Sequence, residues 1–84
     1  MPTIVFSKAA IRTLTRMPAN TAALIRGKIE QYAGDPRSLG KNVIALKGEP
    51  GVMRLRVGDW RIIFTEAGDV LAIIRIAPRG NVYD

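Results

Sequence analysis

The feature that most constrains the fold of this chain is an alternating segment at residues 53–64, with a Gly-Asp pair at its centre. A Gly-Asp pair between two β-prone runs predicts a two-residue hairpin turn. Because side chains alternate between the two faces of a strand, this turn places Val57 opposite Trp60 and Leu55 opposite Ile62. Both pairs are apolar and share one face. We therefore predict an antiparallel strand pair that buries this face.

The second face of the predicted hairpin carries arginine. The same register places Arg56 opposite Arg61 and Arg54 opposite Ile63. Like charges directly across a strand pair are destabilising, and a local cost of this kind is expected at functional sites. The planar guanidinium group suits phosphate oxygens, which it can bind through two parallel hydrogen bonds. We therefore expect this face to bind an anion, with a phosphodiester backbone as the first candidate.

The overall charge favours the same kind of partner. Lys and Arg total 13 against 7 Asp and Glu, so the net charge is +6, and the isoelectric point is about 10.6. An isoelectric point above about 9 is typical of nucleic-acid-binding domains. The chain has no cysteine and no histidine, which excludes disulfides, thiolate metal sites and a histidine general base. We expect no cofactor and no metal, because the carboxylates are scattered and no glycine-rich phosphate loop is present.

The length and the hydropathy pattern bound the class of protein. With 84 residues, the chain is predicted to form a single domain over residues 1–84. Its longest apolar run is far shorter than the roughly 20 residues of a membrane helix, and the N-terminus lacks the features of a signal peptide. We therefore expect a cytoplasmic protein without a membrane partner.

The first half of the chain predicts a strand followed by two helices. Residues 3–6 are β-branched and aromatic, and Ser7 after them is a good helix N-cap. Apolar residues at helical spacing predict helices over residues 8–17 and 19–33. Their apolar stripes comprise Ala10, Ile11, Leu14 and Met17 in the first helix and Ala22, Ile25, Ile29 and Tyr32 in the second. The Gly-Asp-Pro sequence at residues 34–36 ends the second helix.

The second half predicts three consecutive antiparallel strands. Residues 43–46 form either a short strand or an irregular loop, and Glu49 and Glu66 are expected in turns. The strand over residues 70–77 is apolar on both faces, as in a central strand: Val70, Ala72, Ile74 and Ile76 alternate with Leu71, Ile73 and Arg75. The resulting order, strand, helical hairpin and three-stranded antiparallel meander, predicts an α+β two-layer sandwich. Its second sheet face would carry Arg54, Arg56, Arg61 and Arg75 and would be open to solvent or a partner.

The sequence resembles toxins of the RelE/ParE superfamily from bacterial type II toxin–antitoxin modules. The resemblance covers nearly the whole chain and rests on Leu46-Lys47-Gly48, on the run Arg54-Leu55-Arg56-Val57-Gly58-Asp59-Trp60-Arg61, and on the closing Arg79-x-x-Val82-Tyr83. It implies a RelE-like fold and a small toxin that a co-expressed antitoxin neutralises. RelE-type members cut mRNA in the ribosomal A site, whereas ParE-type members poison DNA gyrase. The basic strands and the closing motif resemble the RelE type more closely.

The resemblance also implies a set of functional residues. Catalytic roles fall on Arg54, Arg61, Arg79 and Tyr83. Apart from the resemblance, the basic side chains of Arg56, Lys47 and Arg75 are expected to bind RNA phosphates. Val52 and Pro78 stand where RelE-type members often have a basic residue and a histidine, so the general base is not assigned.

Three functions therefore stay open at the level of sequence. The first is a metal-free, ribosome-dependent mRNA endoribonuclease that inhibits translation. The second is a gyrase inhibitor without nuclease activity, and the third is an inactive, purely regulatory binding module. For the toxins, the expected partner is an acidic antitoxin that wraps the domain in a hetero-oligomer. Trp60 could stack on a base, but its pairing with Val57 favours the core, and Tyr83 could act in proton transfer or simply pack on the sheet.

Overall fold

The computed structural model describes residues 2–80 of the chain. The elements in chain order are β1 (Thr3–Phe6), α1 (Lys8–Arg16), α2 (Ala19–Gly34), a 3₁₀ segment (Pro36–Asn42), β2 (Val43–Ala45), β3 (Val52–Val57), β4 (Trp60–Ala67) and β5 (Val70–Pro78). The five strands form one sheet in the order β1-β5-β4-β3-β2. β1 runs parallel to β5, and the other neighbours are antiparallel. The helices cover one face of this sheet, so the predicted α+β two-layer architecture is confirmed.

The hairpin of β3 and β4 has the predicted register. Val57 pairs with Trp60, Leu55 with Ile62 and Arg56 with Arg61. The turn between the strands places Gly58 at a φ of 56°. A residue with a Cβ atom adopts this left-handed backbone only with strain, which explains why glycine occupies the position.

Helix α1 begins where the sequence predicts, because Ser7 caps it. The Ala10 backbone N–H donates to Ser7 Oγ at 3.0 Å. Ala10 and Leu14 are buried, but Ile11 is 47% exposed, so its assignment to the core was wrong. Ala10 and Leu14 lie four residues apart on the same side of the helix, whereas Ile11 is rotated by about 100° from Ala10. Met17 lies just beyond the helix and packs partly against the core.

Helix α2 packs the predicted stripe against the sheet. Ile25, Ile29 and Tyr32 are buried, and Ala22 is partly buried against the same core. The helix ends where the Asp35 backbone N–H donates to the Gln31 carbonyl at 2.8 Å. Neither this helix nor any other within residues 2–80 is long and apolar enough to cross a membrane.

The segment between α2 and β2, residues 36–42, is a 3₁₀ segment that is interrupted at Leu39, and the Leu39 side chain is buried. Of the two alternatives for residues 43–46, the structure has the short strand, since β2 pairs Val43 with Leu55 and Ala45 with Met53. β2 is an edge of the sheet. Pairing with β3 decides its conformation, which the local sequence leaves open.

Strand β5 lies between β1 and β4, which confirms its interior position. Its predicted strict alternation is wrong after Ile73. Phe64 pairs with Ile73 and Ile63 with Arg75, so Ile74 is an extra residue in a β-bulge. With Ile73 facing the helices, uninterrupted alternation would place Arg75 on the same side and turn Ile76 outward. The bulge instead leaves Ile76 2% exposed, and it avoids the cost of burying a charge in the core.

Glu66 also differs from its predicted position. β4 extends to Ala67, so Glu66 belongs to the strand and not to the turn. It lies on the same side of β4 as Phe64, facing the helices. There the Tyr32 hydroxyl donates a hydrogen bond to Glu66 Oε1 at 2.5 Å. Glu66 therefore continues the helix-facing side of β4 with a polar end that meets the Tyr32 phenol at the C-terminal end of α2.

Candidate nucleic-acid interface

Four arginines of the three central strands lie on the sheet face turned away from the helices. We call this set the arginine face: Arg54, Arg56, Arg61 and Arg75. In one row, Ile63 pairs with Arg54 on one side and with Arg75 on the other. In the next row, Arg61 pairs with Arg56 and with Ala77. Because neighbouring strands are about 4.8 Å apart, the tertiary structure brings together arginines from three different strands.

The four side chains differ in their access to solvent. Arg56 and Arg75 are exposed, and Arg54 is half-buried. Arg61 is only 8% exposed. Its Nη1 group donates to the Gly58 carbonyl at 2.9 Å and to the Trp60 carbonyl at 3.0 Å. These carbonyl dipoles offset part of the repulsion between Arg61 and Arg56, which faces it across the strand pair.

The centre of the arginine face is buried, whereas the sequence predicts a face open to solvent or to a partner. Ile63 is 4% exposed and Ala77 is also buried. Ile63 lies between Arg54 and Arg75 in register, and the methylene stems of arginines can cover apolar surface while their charged ends stay in water. The accessible part of the face therefore consists of its arginine heads around a buried centre.

Arg79 lies at the end of the sheet that contains the β3–β4 turn. Its backbone N–H donates to the Asp59 carbonyl at 2.7 Å, and the residue before it, Pro78, pairs with Trp60. The Arg79 side chain is exposed. The structure thus places Arg79 beside the turn that holds the Arg61 guanidinium, although 18 positions separate the two residues in sequence.

Two predicted site residues are not part of this cluster as the structure describes it. Lys47 is exposed in the loop between β2 and β3. That loop and the Gly58 turn lie at opposite ends of β3, about 17 Å apart at 3.3 Å per residue. Tyr83, together with Val82, lies outside the described residues.

The remaining candidates for chemistry face elsewhere. Glu66 is on the helix side of the sheet, so the sheet separates it from the arginine face. Burial, with the Glu66 hydrogen bond and charge, raises the pKa of Tyr32 to about 12. Trp60 packs partly against the core, as its pairing with Val57 predicts. In the part of the chain that the structure covers, no three acidic side chains lie close enough together to hold a metal ion.

Sequence reasoning missed the Tyr32–Glu66 pair and the bulge that turns Arg75 outward. Both depend on contacts between segments far apart in sequence. The sequence carries no local signal for the bulge, because the strand is apolar on both faces and uninterrupted alternation already places Arg75 on the face opposite Ile74 and Ile76.

A family model described as the ParE toxin of the type II toxin–antitoxin system parDE matches residues 4–83. The chain belongs to this toxin family. The match spans β1, both helices, the whole sheet and the closing motif, so the predicted membership of the RelE/ParE superfamily is confirmed.

Individual relatives of this toxin carry RelE names. This chain is 28% identical to Toxin RelE3 of Methanocaldococcus jannaschii over 83 residues. The alignment covers 96% of this chain and 94% of that protein. The RelE of the RelE–RelB complex from Pyrococcus horikoshii superposes with a TM-score of 0.79 at 23% identity, covering 96% of this chain and 98% of that one. The isolated RelE toxin of E. coli superposes with a TM-score of 0.78 at 14% identity, and the superposition covers 98% of this chain and 88% of that one. The fold is therefore RelE-like, as the resemblance implied.

Proposed function

We propose that this toxin is an mRNA endoribonuclease that acts on translating ribosomes in the cytoplasm, with the arginine face and Arg79 as its RNA-binding and catalytic surface. The observation that carries the proposal is the convergence of arginines from β3, β4 and β5 with Arg79 at the adjacent turn. Basic residues that served only to keep the protein soluble would be spread over its whole surface rather than concentrated on one face. Arginine is also the residue best suited to bind phosphate through paired hydrogen bonds.

Cleavage of RNA without a metal requires three chemical tasks. A 2′-hydroxyl must lose its proton, the negative charge of the phosphorane must be stabilised, and the leaving 5′-oxygen must gain a proton. In the proposal, Arg61 and Arg79 stabilise the phosphorane, while Arg54, Arg56 and Arg75 hold adjacent phosphates. Tyr83 orients the 2′-hydroxyl. Arginine stays protonated at neutral pH and is a poor general base, so much of the rate comes from holding the RNA in line for attack.

The geometry separates the proposed roles of Arg61 and Arg79. Arg61 is buried and hydrogen-bonded to the turn, so its substitution should lower both stability and cleavage. Arg79 is exposed, so its substitution should lower cleavage with little effect on stability. Arg79 is therefore the better position at which to test the chemistry.

We further propose that a cognate antitoxin covers the arginine face in a toxin–antitoxin hetero-oligomer. The net charge of +6 and the exposed Arg56 and Arg75 favour an acidic segment, which would bind through charge-assisted hydrogen bonds. Such a segment would compete with RNA for the same guanidinium groups. RelE proteins from Pyrococcus horikoshii and Methanococcus jannaschii are found in complexes with RelB, which supports a partner of this class.

A ParE-like inhibitor of DNA gyrase is the second candidate function. The matching family model bears the ParE name, and the burial of Arg61 is consistent with a structural role for that residue. In this case toxicity would not depend on RNA cleavage. Substitution of Arg79 would then leave growth arrest intact.

The deciding experiment is primer extension on mRNA from translating ribosomes incubated with the purified toxin. The test variants are Arg79→Ala and Arg56→Ala. Arg12→Ala is the matched control, because Arg12 is exposed on α1, behind the sheet, and its loss changes the net charge equally. We expect codon-phased cuts that persist with Arg12→Ala and are lost or strongly reduced with the other two variants.

Other outcomes point to other functions. Absence of cuts, with growth still arrested on expression without antitoxin, would overturn the ribonuclease proposal. Inhibition of supercoiling by purified gyrase would then support the ParE-like alternative. Absence of any growth arrest would indicate an inactive binding module.

A further inference from the structure

The Ser7 hydroxyl contacts β5 at the point where the strand is irregular. Ser7 Oγ donates a hydrogen bond to the Ile74 carbonyl at 2.5 Å, and the Ser7 backbone N–H donates to the Ile73 carbonyl at 2.9 Å. The same Oγ accepts from the Ala10 N–H at the start of α1. One short side chain therefore joins the end of β1, the first turn of α1 and the bulge in β5.

The two hydrogen bonds from Ser7 to the carbonyls of Ile73 and Ile74 identify the position of the bulge. In a regular strand, successive carbonyls point to opposite neighbours. Here the carbonyls of Ile73 and Ile74 both meet Ser7, on the side of β5 that faces β1. Such an arrangement requires a break in regularity at Ile74, and this residue has no partner in the β4 ladder.

Two positions are geometrically possible for the extra residue. Ile73 and Ile76 are both buried in the core on the helix side, so one of the two residues between them has to be unpaired. If Ile74 is extra, Arg75 pairs with Ile63. If Arg75 is extra, Ile74 pairs with Ile63 and Arg75 leaves the row that contains Arg54.

We infer that Ser7 is a positioning residue: its hydroxyl holds the Ile74 carbonyl, fixes the bulge at Ile74 and so places Arg75 opposite Ile63 in the arginine face. The role of Arg75 as an RNA contact rests on the proposed function. The position of the bulge does not, because it can be measured without RNA. The two parts can therefore fail separately.

Three substitutions of Ser7 separate its donor from its acceptor. Ser7→Thr keeps both. Ser7→Asp keeps the oxygen that caps α1 but provides no donor for the Ile74 carbonyl, and Ser7→Ala removes both. Ala9→Asp is the matched control for Ser7→Asp, since Ala9 is exposed in the first turn of α1 and the change adds the same charge.

The structural readout is the set of backbone cross-strand contacts in NMR spectra of the free protein. We expect contacts between Ile63 and Arg75 in the wild type, in Ser7→Thr and in Ala9→Asp. In Ser7→Ala and Ser7→Asp they should weaken or shift to Ile63 and Ile74. Persistence of the Ile63–Arg75 contacts in both variants would overturn the inference.

The functional readout is the affinity for a short fluorescein-labelled single-stranded RNA over a range of salt concentrations. Loss of one charged phosphate contact should weaken binding about tenfold and should reduce the slope of log K against log salt by about 0.7. We expect both the weaker binding and the smaller salt slope for Arg75→Ala and for Ser7→Ala. The double variant should show the same changes as either single variant and no more. Such non-additivity distinguishes positioning from general destabilisation, which would weaken the double variant further.

The NMR contacts and the RNA affinities test the role of Ser7 and the proposed function separately. Additive losses in the double variant would overturn the link between Ser7 and Arg75. If Arg75→Ala binds this RNA as the wild type does, the assignment of Arg75 to RNA fails, and the NMR contacts alone then support or overturn the role of Ser7 in placing the bulge.

Discussion

The Tyr32 hydroxyl donates a hydrogen bond to Glu66 Oε1 at 2.5 Å and thereby joins the last turn of α2 to the end of β4. The Tyr32 ring also lies 5.0 Å from the Phe64 ring at an angle of 59°. A tilted aromatic contact of this kind stabilises the pair beyond the burial of its area. Tyr32 therefore contributes an apolar ring to the core and a polar end to its edge.

This pair predicts a loss of stability in alkaline solution. Burial, with the Glu66 hydrogen bond and charge, raises the pKa of Tyr32 from 10.0 to about 12. The folded chain holds this proton more tightly than the unfolded chain. The contribution of Tyr32 to stability is thus fully present below pH 10 and is lost as the pH rises from 10 towards 12.

Thermal unfolding at a series of pH values checks this prediction. Tyr32→Phe should remove the contribution of this group to the decline above pH 10, and Glu66→Gln should move its midpoint to lower pH, because Gln keeps an acceptor but no charge. Identical pH profiles for the wild type and Tyr32→Phe would contradict the assignment.

The bulge predicts that two adjacent isoleucines differ sharply in their importance. Ile73 is 2% exposed and Ile74 is 42% exposed. Ile73→Ala should reduce the free energy of unfolding by about 2–4 kcal/mol because it leaves a cavity. Ile74→Ala should change it by less than about 0.5 kcal/mol. Urea unfolding measures both, and equal losses would show that the alternation is not broken at Ile74.

Two glycines should respond to alanine in opposite directions. Gly27 lies within α2, and a Cβ atom added there meets nothing within 4 Å. Gly27→Ala should therefore stabilise the protein by about 0.5–1 kcal/mol. Gly58→Ala should destabilise it by about 1–2 kcal/mol, because the φ of 56° is left-handed. The measurement is again urea unfolding, and a stabilising Gly58→Ala would refute the turn geometry.

Reversing the charge of Arg56 should separate binding from stability. Arg56 is exposed and faces Arg61 across the strand pair, so Arg56→Glu replaces a repulsive pair with an attractive one. We expect the melting temperature to stay within a few degrees of the wild type and RNA binding to fall by more than about tenfold. Arg12→Glu is the charge-matched control. A large drop in melting temperature for Arg56→Glu alone would show that Arg56 is structural.

Much of the fold follows from local pattern. The register of the β3–β4 hairpin was predictable because a two-residue turn and a period of two fix every pairing from Val57 to Met53. The apolar stripe of α2 was predictable for the same reason at a period of 3.6. The candidate site was predictable to the extent that it lies on this hairpin, at Arg54, Arg56 and Arg61.

The rest depended on contacts between distant segments. Strand β2 forms because β3 offers it an edge, and its own three residues leave it ambiguous. The proximity of Arg79 to the β3–β4 turn depends on a hydrogen bond from its backbone N–H to the Asp59 carbonyl, 20 positions away. Neither contact has a periodic signal, because each joins segments that lie beyond the reach of a local pattern.

The sequence by itself determined which residues of the β3–β4 hairpin alternate, which face of the hairpin is apolar and, to within one residue, where the helices begin and end, since those properties depend on neighbours within a few positions. Only the tertiary structure decided which residue of β5 is unpaired. Alternation alone predicts Arg75 on the arginine face without a bulge, whereas the structure turns both Ile73 and Ile76 to the helices, so one residue between them must be unpaired. The Ser7 hydroxyl, 67 positions away from Ile74, makes that choice, because a carbonyl turned out of the ladder still requires a donor.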